Sequence, residues 1–296
     1  MELSRRDFLA YCGTGALSLS LSGQTMAKLA TVLASPSAPK VIWLQGSACS
    51  GCTISFLNRI AASAPATAAD VLLSTISLSY HPTVMAEAGQ GAANIALELA
   101  ARGKYILVIE GGVPTSFGGA ACFAWTSNGE DVTFQKAVQR LAQRASSVVC
   151  VGACSAYGGV PAMNGNPTGV VSVAKAIGRP TINVSGCPPH PDWIVWTLAN
   201  LVAGQKIKLD SVGRPTALYS KTVHSQCPRR EAEEADTFGT QGLCLEGLGC
   251  RGPKTKAPCA ITFWNGKVNW CIGANAPCYG CTEANFPQTP LWKGED

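Results

Sequence analysis

His224, Cys227, Cys244, Cys250, Cys259, Cys271, Cys278 and Cys281 fall within the last quarter of the chain, and no long apolar run separates them. Seven cysteines and one histidine in fewer than sixty residues cannot close around a hydrophobic core of their own. Such a segment needs staples, and disulfides, zinc or iron–sulfur clusters could supply them. Eight soft ligands make two sets of four. A third set lies upstream in Cys49-x-x-Cys52, Cys154 and Cys187, for twelve candidate ligands in all.

The N-terminus bears on this choice. Ser4-Arg5-Arg6-Asp7-Phe8-Leu9 matches the twin-arginine export pattern, and a weakly apolar Gly/Ser-rich stretch follows it. Residues 1–38 read as signal and linker. Proteins on that route cross the membrane already folded, with cofactors inserted, whereas disulfides form after export. The address therefore favours clusters over disulfides and places the mature protein in the periplasm. No later stretch approaches the ~20 apolar residues of a membrane span.

Composition adds two exclusions. The net charge of +5 comes from scattered Lys and Arg without an aromatic-interleaved basic patch, so nucleic acid is not the expected partner. Only 14% of residues are charged, which fits a surface largely covered by another protein.

From residue 39 to 205 strands alternate with helices. Lys40–Leu44 reads as a buried strand, followed by a helix with Ile54, Leu57, Ile60 and Ala61 turned inward. Val71–Leu78, Lys104–Ile109, Ser147–Val151 and Thr181–Val184 read as further strands. Gly91–Arg102, Val132–Arg144, Gly169–Ile177 and Asp192–Ala203 read as helices. This order predicts an α/β fold with a doubly wound parallel sheet, whose ligands bind beyond the carboxyl ends of the strands. Cys49, Cys52, Cys154 and Cys187 all follow predicted strands, so four sulfurs converge on one sheet edge. From 206 to 296 the alternation stops, and Pro, Gly and Cys dominate; this is a second, irregular, stapled domain.

Thiolates are soft donors that hold iron–sulfur clusters over a wide range of potentials. Three such centres, with no acid–base or nucleophile set beside them, suggest an electron wire. A neutral His224 in place of a thiolate removes negative charge from its centre, which suits an exit point. Gly51, Gly152, Pro188, Gly249 and Gly280 flank ligands where backbone N–H groups must approach sulfur. Cys12 leaves with the signal, Cys150 reads as a core thiol and Cys122 as a core or interface thiol. His81 and His190 read as loop or interface residues. Glu231, Glu233, Glu234 and Asp236 form an acidic run that is either a solvated face or a docking patch for a basic electron carrier.

Several segments together resemble the small subunit of nickel–iron hydrogenases. They are Cys49-Ser-Gly-Cys52, Gly152-Ala-Cys154-Ser-Ala-Tyr-Gly-Gly159, Gly186-Cys187-Pro-Pro-His-Pro-Asp192, His224-x-x-Cys227 and Asn269-Trp-Cys271 through Cys278-Tyr-Gly-Cys281. The resemblance runs from the signal to the last cysteine pair. It implies a flavodoxin-like N-terminal domain and three 4Fe-4S clusters. Cys49, Cys52, Cys154 and Cys187 would hold the proximal one, Cys259, Cys271, Cys278 and Cys281 the middle one, and His224, Cys227, Cys244 and Cys250 the distal one. The catalytic nickel–iron site would lie in a large partner subunit. Electrons from dihydrogen would leave through the distal cluster to a carrier such as a multihaem cytochrome c. Cys271 stands where the commonest family pattern has Pro, Ile54 stands where many members have Glu, and Ile76–Met85 looks like the nickel–iron–selenium branch. No extra cysteines flank Cys49 and Cys52, as a modified oxygen-tolerant proximal cluster would need. Another redox complex reusing the fold, such as a quinone reductase, would carry an adjacent-cysteine motif that is absent here.

Overall fold

The computed structural model describes residues 39–62, 65–163 and 165–287. The twin-arginine segment lies outside them. Five parallel strands form one sheet: β1 (Lys40–Gln45), β2 (Ser77–Tyr80), β3 (Tyr105–Glu110), β6 (Ser147–Val151) and β7 (Ile182–Val184). A separate antiparallel pair, β4 (Phe123–Ser127) and β5 (Glu130–Thr133), lies between them in sequence. The large sheet has the order β2-β1-β3-β6-β7, the flavodoxin-type doubly wound arrangement, with its switch point between β1 and β3.

The strands are apolar on both faces because helices cover both. Val41, Trp43, Ile106, Val108, Val149 and Val151 face one layer, with α1 (Gly51–Leu57), α2 (Ala68–Ser74) and α7 (Pro191–Val202). Ile42, Leu44, Leu107, Ile109, Val148 and Cys150 face the other, with α3 (Gly89–Arg102), α4 (Phe134–Ala142), α5 (Ala153–Tyr157) and α6 (Val173–Ile177). The cysteine-rich C-terminal stretch has little regular structure beyond α8 (Cys259–Thr262). Its Tyr219, Ala257, Trp270 and Ile272 join the first of these two layers.

Register carries the functional consequence. Gln45 pairs with Glu110, Glu110 with Val151, and Val151 with Val184, so four strands end in one row. The loops leaving that row carry Cys49 and Cys52, Cys154, and Cys187.

Three local readings of the sequence are corrected. Residues 68–74 are helical and only 77–80 are strand, where the β-branched run over Val71–Leu78 reads as strand. The reason is a capping box: Thr67 Oγ1 accepts from the Asp70 N–H at 3.2 Å, and Asp70 Oδ2 accepts from the Thr67 N–H at 2.9 Å. The helix read from Val132 begins at Phe134, because Thr133 ends β5 and caps α4 through the Lys136 N–H. The short helix α1 also turns the other way. It buries Thr53, Ser55 and Phe56, while Ile54, Leu57 and Ile60 are 53%, 46% and 64% exposed.

Candidate metal centres

The first set is assembled at the sheet's switch point. Ser50 adopts a left-handed conformation and starts α1, which carries Cys52. Cys154 sits in the first turn of α5, directly after β6. Cys187 follows β7, and Cys49 and Cys187 are exposed. The four sulfurs feel one another: burial first, then Glu110, then Cys154, Cys187 and Cys49 push the Cys52 thiol well above its ordinary range. Burial and Cys187 push Cys154 up to about 11. Gly152 makes the approach possible, since a Cβ there would stand 2.5 Å from Cys52 Sγ.

Glu110 is the anchor beneath this set. It is fully buried, yet it closes an otherwise apolar strand. Its carboxylate accepts from the backbone N–H groups of Cys52 and Thr53 at 3.0 and 3.1 Å, and from the Trp43 indole at 3.1 Å. Gln45 Nε2 donates at 3.2 Å and the Thr53 hydroxyl at 2.5 Å. Five donors on one carboxylate fix the turn that aims Cys52.

Thr53 continues inward to His81 Nε2 at 3.2 Å. His81 is wholly buried against Trp43, and its other ring nitrogen accepts from the Thr83 N–H at 3.2 Å. It belongs to the core and not to a loop surface or interface. His190 likewise is buried, where it caps α7 through the Asp192 N–H and packs against Trp193 and Trp264.

Burial holds the His81 imidazole down at about 4, against an upward pull from Glu110. The folded value therefore lies below the unfolded one. Neutral His81 contributes its full stability above about pH 6.5, and that stability is lost as pH falls toward 4. His81→Gln is expected to flatten the acid side of a Tm-against-pH profile, removing up to about 3 kcal/mol of pH-dependent loss. Coincident profiles below pH 6.5 for the two proteins would refute this.

The other eight candidate ligands gather in two groups. His224, Cys227, Cys244 and Cys250 line one recess, closed by Arg229, Leu245, Gly252 and Ile272. Glu246 reaches His224 Nδ1 at 3.6 Å, and the Arg229 N–H donates to Cys227 Sγ at 3.4 Å. Cys259, Cys271, Cys278 and Cys281 form the second group. Burial and then Cys281, Cys278 and Cys271 raise the Cys259 thiol well above its ordinary range. Cys278 is raised to about 11, mainly by burial.

The groups also touch end to end. Cys281 feels both the backbone and the thiol of Cys187, which brings the first set beside the second. The Cys278 N–H donates to Cys250 Sγ at 3.2 Å, which links the second to the third.

All thirteen cysteines among the described residues are unpaired, including Cys122 and the buried Cys150. Thiols raised by burial and by one another resist ionising, and a polycationic group would reverse that and release their protons. No three His, Cys, Asp or Glu side chains among the described residues close on one point as a single ion requires. A cubane takes one ligand at each of four iron corners and needs no common point. The donor sets thus fit iron–sulfur clusters.

Comparison with known proteins decides the family. Residues 49–201 match the family described as NADH ubiquinone oxidoreductase, 20 Kd subunit. Residues 219–291 match the family described as the C-terminal part of the NiFe/NiFeSe hydrogenase small subunit. The periplasmic [NiFeSe] hydrogenase small subunit of Desulfomicrobium baculatum is 37% identical, with 100% of both chains aligned. The chain belongs to the nickel–iron hydrogenase small subunits. The periplasmic [NiFe] hydrogenase small subunit of Solidesulfovibrio fructosivorans is also 37% identical, over 98% of this chain and 93% of its own length. The solved [NiFeSe] hydrogenase from Desulfovibrio vulgaris Hildenborough superposes with a TM-score of 0.81 at 39% identity, covering 88% of this chain and 99% of that one. Hydrogenase small subunits of this family carry iron–sulfur clusters, and the hydrogen-converting site lies in the large subunit. Among the described residues no helix is long and apolar enough to cross a membrane.

Glu110 escaped the sequence reading although it left a signal: a lone acid at the carboxyl end of an all-apolar strand, at the sheet's switch point. The acidic residues Glu231, Glu233, Glu234 and Asp236 are exposed.

Proposed function

We propose that this chain is the electron-transfer subunit of a heterodimeric, periplasmic hydrogenase (H2 = 2 H+ + 2 e−). Cys49, Cys52, Cys154 and Cys187 hold a proximal 4Fe-4S cluster. Cys259, Cys271, Cys278 and Cys281 hold the middle one, and His224, Cys227, Cys244 and Cys250 the distal one. Bound there, the clusters supply one-electron oxidation and reduction between the partner's nickel–iron site and an external carrier such as a multihaem cytochrome c. Residues 39–205 form the flavodoxin-like domain and 206–296 the cluster-bearing domain. Residues 1–38 carry the export signal for the twin-arginine route.

The observation that carries this reading is the end-to-end order of the three donor sets: the Ser185-to-Thr282 bond holds the Cys187 and Cys281 segments together, and the Cys278 N–H bonds to Cys250 Sγ. Around the first set, the chain's own residues hold the turn that carries Cys52 and leave one side open. That open side carries exposed Cys49 and Cys187 beside exposed Ile54, Leu57 and Ile60. An apolar, thiol-bearing face of this kind fits a large subunit seated over the proximal cluster. Cys271, the fourth thiol of the middle set, supports a four-iron centre and the nickel–iron–selenium branch.

The test is to co-produce the chain with its large subunit, purify anaerobically and measure iron, sulfide and EPR. About twelve irons per heterodimer beyond the nickel–iron site, without a three-iron signal in the oxidised protein, is the expected result. Cys271→Pro should lower the count to about eleven and bring up a three-iron signal. Absence of iron, with cysteines paired in mass spectra, would overturn the proposal.

A further inference from the structure

Arg214 is buried at 3% exposure; it bonds directly to the segment that follows Cys281, and through Thr282 and Tyr219 it is joined to the segment that leads into Cys187. Its Nε donates to Asp210 Oδ2 at 2.8 Å, which holds it within its own loop. Its Nη1 donates to the Thr282 carbonyl at 3.1 Å and to Glu283 Oε1 at 2.7 Å, the two residues directly after Cys281. The Thr282 carbonyl also accepts from Ser185 Oγ at 2.7 Å, and Ser185 lies two residues before Cys187. The Tyr219 hydroxyl, on a ring beneath the Arg214 guanidinium, donates to the Ser185 carbonyl at 2.8 Å.

The loop that carries Arg214 is itself sewn to β7. The Asn183 N–H donates to the Gly213 carbonyl at 2.7 Å, and Asn183 Nδ2 donates to the Val212 carbonyl at 2.7 Å. Glu283 is fixed from its other side by the Lys256 N–H at 2.7 Å. The knot therefore ties the end of β7 to the turn after Cys281, with the Ser185-to-Thr282 bond at its centre.

We propose that Arg214 is a positioning residue that sets the separation between the first and second cysteine sets, and with it the coupling between them. This rests on the assignment of those sets to two clusters. Buried ion pairs commonly add little net stability, and apolar residues of similar volume often replace them without loss. What a two-sided pair does provide is a fixed geometry, here where the segment leading into Cys187 meets the segment following Cys281.

The experiment uses the intact heterodimer as wild type, Arg214→Lys and Arg214→Met. Three readings are taken: iron content, magnetic coupling between the reduced centres by EPR, and hydrogen-dependent dye reduction set against hydrogen–deuterium exchange. Exchange reports the partner's site without the wire. Arg214→Met should keep its iron and its exchange activity, change or lose the magnetic splitting, and slow dye reduction several-fold. Arg214→Lys should restore part of both. If Arg214→Met does not assemble, Glu283→Gln, which leaves the Asp210 pair in place, makes the same comparison. Unchanged splitting and unchanged dye reduction in an iron-replete variant would overturn the assignment of Arg214. A wild type without two interacting centres would instead overturn the cluster reading beneath it.

Discussion

Glu110→Leu is expected to remove the first four-cysteine centre and to prevent a stable heterodimer from accumulating. Leucine nearly matches the volume of the side chain but offers no acceptor. Five donors would lose their partner: the N–H groups of Cys52 and Thr53, the Thr53 hydroxyl, the Trp43 indole and the Gln45 amide. A buried donor left unsatisfied costs about 1–3 kcal/mol. The five share one site, so their costs do not add, and a total near 3–5 kcal/mol is the reasonable expectation. That is a large part of the roughly 5–15 kcal/mol by which a domain is stable.

The damage should also be local. The Cys52 and Thr53 N–H groups define the first turn of α1, so their release misplaces Cys52 before it unfolds the sheet. Glu110→Gln is the informative companion. It keeps one acceptor oxygen but brings two hydrogens toward groups that are themselves donors, so it should fall between wild type and Leu. Iron analysis with EPR separates the outcomes: about four irons missing, with the other two centres intact, is the expected Gln phenotype. A Glu110→Leu protein with full iron and an unchanged Tm would show that the five contacts do not hold the turn.

The parallel strands were legible because apolar residues run along β1, β3 and β6 between breaks at Gly and Cys, and because cysteines follow three of the strands. What those four cysteines share is register, through the row Gln45, Glu110, Val151 and Val184, and strand-end reasoning anticipates such a row. The grouping of the later eight candidate ligands rests on the family resemblance, since spacing alone permits several groupings.

Other features were hidden for physical reasons. The capping box of Thr67 and Asp70 outweighs the β-branched composition of the residues that follow. The turn Asn128-Gly129, with φ of 53° and 80°, closes the β4–β5 hairpin and was a readable signal that a helix reading of the neighbouring stretch displaced. The orientation of α1 was misread because apolar periodicity normally marks a buried face. Here Ile54, Leu57 and Ile60 form part of the face that a partner is proposed to cover. Glu110 bonds to Thr53 across 57 residues and Arg214 to Glu283 across 69, and no local pattern reports such pairings.

Gly152→Ala should be as damaging as the loss of a ligand, although alanine adds a single carbon. Gly152 has φ of 97° and ψ of 159°, a region that only glycine occupies readily. Forcing another residue into it costs about 1–3 kcal/mol. A Cβ would also lie 2.5 Å from Cys52 Sγ, closer than any packing tolerates. The sulfur cannot simply retreat, because Glu110 holds the Cys52 backbone and Cys154 follows Gly152 by two residues. The overlap is therefore resolved by moving the sulfur out of its set or by distorting the turn that carries Cys154.

Gly178→Ala provides the control. Gly178 also has a positive φ, of 67°, but a Cβ there meets nothing within 4 Å. It should cost about 1 kcal/mol, a small drop in Tm, and leave the metal content unchanged. Gly152→Ala should lose about four irons and the EPR signature of the first centre while the two C-terminal centres persist. Equal Tm losses in the two variants, with full iron in both, would mean that backbone strain alone explains Gly152. Selective loss of the first centre would mean that the glycine is kept so that β6 can bring Cys154 against Cys52 without a side chain between them.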